Sequence, residues 1–189
     1  MQNPPSLPPG KTAGILAALQ FTVQKELRKM NPDKGTAITC RIVVTEILSR
    51  VGHVDDITTL TAAILHHVFD SSASITHELD LHFGREIRLL VEELAGNKHL
   101  SHTEQMQDLL DRAPYFSVRA KQIVIAEKIC KLQDMAKAHT TGWSAEQRRG
   151  YLTWMGQLVE MCRGANPYLE EYFYELYEEQ CRAILHTED

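Results

Sequence analysis

The sequence has no apolar run approaching the roughly 20 residues that a bilayer-spanning helix needs, so no membrane role is expected. It has no excess of positive charge. Lys and Arg total 20 against 25 for Asp and Glu, a formal net charge of −5, which leaves no broad basic footprint for nucleic acid or an anionic surface. The four cysteines, Cys40, Cys130, Cys162 and Cys181, are widely spaced and form no CxxC pair; reduced thiols in a cytosolic protein are the plain expectation. HExxH is absent, and no Cys/His spacing suits a zinc finger. No stretch alternates at period two, no internal repeat is found, and no low-complexity segment follows residue 10. The first ten residues hold Pro4, Pro5, Pro8 and Pro9 but no positive stretch followed by an apolar one, so they do not read as a secretory signal. Residues 1–13 are expected to be a disordered or extended segment, and 14–189 a single domain.

What is present is helix. The chain has 189 residues, 43% hydrophobic and 24% charged, enough for one sizeable core. Ile15, Leu16, Leu19, Val23 and Leu27 recur at helical spacing, with Asn31-Pro32 ending the segment. A second helix is expected over Ile38 to Val51, stopped by Gly52, and a third over Leu60 to about Phe69, capped by Asp55 or Asp56. Segments from Ser74 to His82 and Ile87 to Leu94 follow, with Gly96 ending the latter. Ser101 with Glu104, and Ser144 with Gln147, carry capping-box spacing. Ser117 to about Ala138 reads as a long helix, and Asn166-Pro167 opens the last one. The expectation is an all-α bundle of roughly nine helices.

Nine histidines invite a search for metal ligands. The candidate is His66-His67, near the end of the apolar helix Ile64-Leu65-His66-His67-Val68-Phe69-Asp70. Neighbours on an α-helix point about 100° apart, since there are 3.6 residues per turn. Both rings can therefore serve one ion only where the helix end lets both side chains turn inward. Core histidines and metal ligands both fit this spacing. His99 and His102 read as flanking an exposed turn, His77 and His82 as surface or turn histidines, and Trp143 and Trp154 as packing residues. Tyr168, Leu169, Tyr172, Phe173, Tyr174, Leu176 and Tyr177 in the last helix could pack on their own domain or form a partner face; Tyr174 and Tyr177 are the ones expected to show solvent.

From about Gly14 to Cys181 the sequence resembles the HD-domain hydrolases of the SpoT/RelA type, above all their small stand-alone metazoan members. The resemblance is carried by Ala62-Ala63-Ile64-Leu65-His66-His67, Glu78-Leu79 with His82-Phe83-Gly84, and Ile87 to Leu94. It continues through Ala126-Glu127-Lys128, Leu132, Asp134, Gly142-Trp143-Ser144, Tyr151, Trp154, Arg163-Gly164-Ala165-Asn166 and Leu169-Glu170. It implies an HD-type helical bundle, manganese-dependent removal of pyrophosphate from the 3′ position of guanosine tetraphosphate, and a phosphatase activity on NADPH. It also implies where the chemistry sits. The family's metal is held by a first-helix His, a His-Asp pair and a later Asp, positions that here read Lys25, His66-His67 and Glu127. The water-activating Glu-Asp pair reads Asp70-Ser71. Among substrate positions, an Arg-Arg-Lys run reads Lys29-Met30-Asn31, a tyrosine reads Ile38 and an asparagine reads Lys131; Lys128 and Lys131 beside Glu127 are candidates to attract phosphate.

Two readings follow from these departures. In the first, the chain is a catalytically silent homologue without a cofactor. An ammonium at Lys25 cannot ligate a cation while protonated, so a Lys25–Glu127 ion pair, with His66 or His67 sharing part of the charge, would organise the pocket, which would bind a nucleotide or serve a protein partner. In the alternative, His66, His67 and Glu127 hold manganese, zinc or iron, and Asp70 serves as base in a phosphohydrolase acting on guanosine tetraphosphate or NADPH.

Overall fold

The computed structural model describes residues 10–28, 34–69, 73–137 and 143–185. Among them are nine α-helices and no strand: α1 (Lys11–Arg28), α2 (Lys34–Arg50), α3 (Ile57–Leu65), α4 (Ala73–Phe83), α5 (Arg85–Leu94), α6 (His102–Arg112), α7 (Val118–Lys137), α8 (Ala145–Met161) and α9 (Pro167–Leu185). Short 3₁₀ turns follow α3 (His66–Val68) and α6 (Ala113–Tyr115). Helix α1 begins at Lys11, three residues before the expected boundary at Gly14.

Helix α3 is apolar or Thr on every side, and all residues from Thr58 to Leu65 are buried. A short helix without a polar face has to sit inside others, and α1, α2, α5 and α7 all pack against it. Helix α7 is the second core element, with Ile123, Val124, Ile125 and Ala126 buried in succession. The cluster of buried side chains runs from Ala18 of α1 to Ile184 of α9.

Local hydrogen bonds set where these helices start. The Asp56 carboxylate accepts from the Thr59 amide at 3.1 Å, capping α3. Arg119 of α7 pairs with the same carboxylate at 2.9 Å, bolting the start of α3 to α7. Both capping boxes, at Ser101 and Ser144, are formed. Asn166 caps α9 by accepting from the Tyr168 and Leu169 amides, while its Nδ2 donates to the Gly52 carbonyl at 2.7 Å. A Cβ on Gly52 would lie 2.9 Å from Leu169 Cγ, so the close approach of α9 to the α2–α3 turn requires glycine there.

The aromatic residues of α9 are largely used by the fold itself. Phe173 is fully buried, Tyr177 stacks on it at 5.6 Å, Gln133 donates to Tyr172, and Tyr174 donates to Glu160 at 3.0 Å. Against the expectation for Tyr174 and Tyr177, it is Tyr168 that stands out, at 56% exposure.

Candidate metal centre and cleft

At the end of α3 the backbone tightens into a 3₁₀ turn over His66–Val68. The helix end does bring the two imidazoles together, with ring centroids 3.9 Å apart. His66 is buried and His67 half exposed. The His66 Nδ1 lies 3.0 Å from the Ala63 carbonyl oxygen. A carbonyl can only accept, so this nitrogen carries the proton and Nε2 is turned outward.

What Nε2 meets is Glu127, in the middle of α7. His66 Nε2 lies 2.5 Å and His67 Nε2 3.1 Å from Glu127 Oε1. One ligand atom from each of the three residues lies within 4.8 Å of the others. Burial works to raise the Glu127 carboxyl, but the charge and hydrogen bonds of His66 and His67 outweigh it and hold the group well below the usual carboxylate range. The charge on His66, with burial, pushes the His67 imidazole down. Two imidazoles and one carboxylate, with room left on the cleft side, suit a divalent transition metal with open positions.

Lys25 is not part of this cluster. Its ammonium pairs with Glu78 of α4 at 2.6 Å and lies 5.2 Å from the centre of the Phe21 ring. The expected Lys25–Glu127 pair is therefore corrected: Glu127 is met by the two histidines, and α4 supplies the carboxylate for Lys25. A second buried ion pair was not anticipated. Arg41 of α2 meets Glu26 of α1 at 3.3 Å, with side chains only 5% and 12% exposed. Its positive charge adds to the downward pressure on His67.

The three residues open onto a cleft of about 470 Å³, within the range of small-molecule sites. Tyr151 and Trp154 of α8 form an aromatic wall, stacked at 5.3 Å with their planes 29° apart. Lys128 lines the cleft with its ammonium 5.1 Å from the Trp154 ring centre. Lys98 and Arg112 add positive charge along the rim, and His102 lies on the same lining. Lys131 is turned to Trp143, 5.8 Å from the ring centre, and does not line the cleft. Asp70, Ser71 and Lys29 lie outside the described residues.

Sequence reasoning missed Lys98, Arg112 and Tyr151 as cleft residues; His102 is exposed beside a turn as expected, and its place on the cleft lining was not foreseen. Trp154 does pack, donating from Nε1 to the Met106 carbonyl at 3.1 Å, and still faces the cleft. The available signal was the spacing of Tyr151 and Trp154, three apart on one helix face.

No protein-family model matches the chain. It is 33% identical over 172 residues to guanosine-3′,5′-bis(diphosphate) 3′-pyrophosphohydrolase MESH1 of Mus musculus, covering 90% of this chain and 96% of that one. The Homo sapiens protein of the same name is 31% identical over the same length. Among solved structures, the chain resembles a metazoan ortholog of SpoT that hydrolyzes ppGpp and plays a role in starvation responses. The TM-score is 0.78 and the identity 29%, covering 89% of this chain and 96% of that one.

Proposed function

Since the chain belongs to the MESH1 family of guanosine-3′,5′-bis(diphosphate) 3′-pyrophosphohydrolases, we propose that it is a divalent-metal-dependent phosphohydrolase acting on a nucleotide that carries a pyrophosphate. The observation that carries this reading is the convergence of His66, His67 and Glu127 on one point of the cleft wall. These three residues would hold the ion. When bound, it supplies a lowered pKa for water and neutralises phosphate charge.

The chain's own residues do the rest. The Ala63 carbonyl fixes the His66 ring with Nε2 toward the site. Glu127 supplies charge from a helix that cannot shift without disturbing the core around Val124 and Ala126. Lys98, Lys128 and Arg112 draw phosphate toward the cleft, and Tyr151 with Trp154 offers a flat wall for a base. Asp70, three residues past His67, is the carboxylate this reading assigns to activating water. Ser71, next to it, cannot replace a second carboxylate.

The silent-homologue reading rests on the replaced site residues; the Lys25–Glu127 pair it offered to organise the pocket is not formed, since Lys25 pairs with Glu78. One observation still favours it. With His66 Nδ1 donating to a carbonyl, the 2.5 Å approach of Nε2 to a carboxylate is itself a satisfied ion pair needing no metal. The second reading is accordingly a nucleotide-binding protein without turnover.

The test incubates purified protein with guanosine 3′,5′-bis(diphosphate), and separately with NADPH, across manganese, zinc and ferrous iron. Bound metal per chain and released pyrophosphate or phosphate are measured. A single ion per chain and metal-dependent release, both lost in His66→Ala, are expected. Nucleotide binding without release at saturating metal overturns hydrolysis in favour of the second reading.

A further inference from the structure

The site just described leaves one reactive cluster unused. Cys40 of α2 and Cys130 of α7, 90 residues apart in sequence, place their Sγ atoms 3.3 Å from one another as free thiols. Disulfide sulfurs lie about 2.05 Å apart, so bonding requires the two to approach by little more than an ångström. The environments are unequal. Cys40 is half-buried and Cys130 almost fully buried. The hydrogen bond from Cys130 lowers the Cys40 thiol to about 7, and that same contact, with burial, pushes Cys130 up. One sulfur is thus accessible and nucleophilic, while the other waits beneath it as a thiol.

We propose that Cys40 and Cys130 form an oxidisable dithiol site that takes a peroxide as its oxidant and closes to an intramolecular disulfide between α2 and α7. The Cys40 thiolate attacks a peroxide oxygen. The O–O bond breaks, hydroxide leaves and takes a proton, and Cys40 becomes a sulfenic acid. The Cys130 sulfur then attacks the Cys40 sulfur, the S–O bond breaks, and the departing hydroxide leaves as water with the Cys130 proton. Two thiols are oxidised by two electrons, and hydrogen peroxide is reduced to two waters. The bond forms one helical turn beyond Glu127, which lies three residues before Cys130 on α7.

Cys162 is buried with its thiol pushed up by burial to about 11, and Cys181 lies on α9. They serve as internal controls. The full chain is treated with graded hydrogen peroxide, its free thiols are counted after denaturation, and it is mapped as peptides without reduction. Loss of two of its four thiols together with a Cys40–Cys130 linked peptide is expected, reversed by dithiothreitol. Cys130→Ser should strand Cys40 as a sulfenic acid that dimedone labels, and Cys40→Ser should give no linked peptide. Retention of all four thiols, or a linkage through Cys162 or Cys181, overturns the proposal. The wild-type peptide map decides it even where a variant fails to fold.

Discussion

On one side of the cleft, His66 and Glu127 project from helices surrounded by core; on the other, α6 has no fully buried residue. Helix α6 lays half-buried Leu109 and Leu110 on the core and is otherwise held by contacts on its own surface and rim. These are the Ser101–Glu104 capping box, an Arg112–Asp108 pair at 2.9 Å, and bonds from Arg112 to the Glu93 carbonyl and from Trp154 to the Met106 carbonyl. The metal-ligand candidates thus inherit the rigidity of the packed interior. The opposite wall rests on half-buried side chains and on polar contacts worth about 1 kcal/mol each, the kind that open locally before the whole molecule does. A cleft built this way keeps its reactive groups fixed while one face can yield to a ligand.

Three changes should separate the two walls. Glu127→Ala is expected to have the largest effect, because it leaves the buried His66 Nε2 without its partner. The global loss should be about 3 kcal/mol, read as a shift of the urea midpoint with unchanged slope; a loss under about 1 kcal/mol would show that the pair is not an organising one.

Acid comes next. The Glu127 carboxyl titrates well below its ordinary 4.5 in the folded protein, so the unfolded chain binds the extra proton first. Its stabilising contribution is fully present above about 4.5 and is lost as pH falls through the folded value. The lowered His67 adds a loss of the same sign, beginning as pH falls past its ordinary 6.5. Urea midpoints from pH 8 down to 3 should fall more steeply for wild type than for Glu127→Gln; parallel profiles would refute the assignment.

The smallest effect belongs to the other wall. Ser101→Ala should cost α6 about 1 kcal/mol, seen as faster amide hydrogen exchange in residues 102–112. Exchange in α3 and α7 should stay unchanged, and a matching acceleration there would mean that the walls are not independent.

The same division explains what could be read in advance. Ser101, Ser144 and Asn166, and Asp56 as one of two adjacent candidates, were legible as caps because a cap is a contact between residues two to four apart. The apolar character of α3 was legible, and its burial is the physical consequence of lacking a polar face. His66 and His67 could be picked out as a pair, and Glu127 came through family resemblance, in line with their convergence here. Lys25 was assigned the wrong carboxylate because charge pattern does not say which of two acids a fold brings nearer; that depends on where α4 lies against α1. Lys98, Arg112 and Tyr151 were missed for a related reason. Each becomes a cleft residue only where the segment after α5 and helices α6 and α8 face the end of α3 and the middle of α7. The Cys40–Cys130 contact likewise has no local signature, since 90 residues separate its halves.

The Asn166 clamp carries a consequence for how the molecule is made. Its amide reaches the Gly52 carbonyl across 114 residues of sequence, and Leu169 seals the same turn. Synthesis runs from the N-terminus, so the turn that leads into α3 leaves the ribosome long before its lock exists. The nascent chain must carry the turn into its apolar helix without this clamp until α9 emerges, although α7 already holds that helix through Arg119. Truncation just before residue 166 would loosen the start of the helix whose far end carries the histidine pair, although it removes none of the residues that build the cleft.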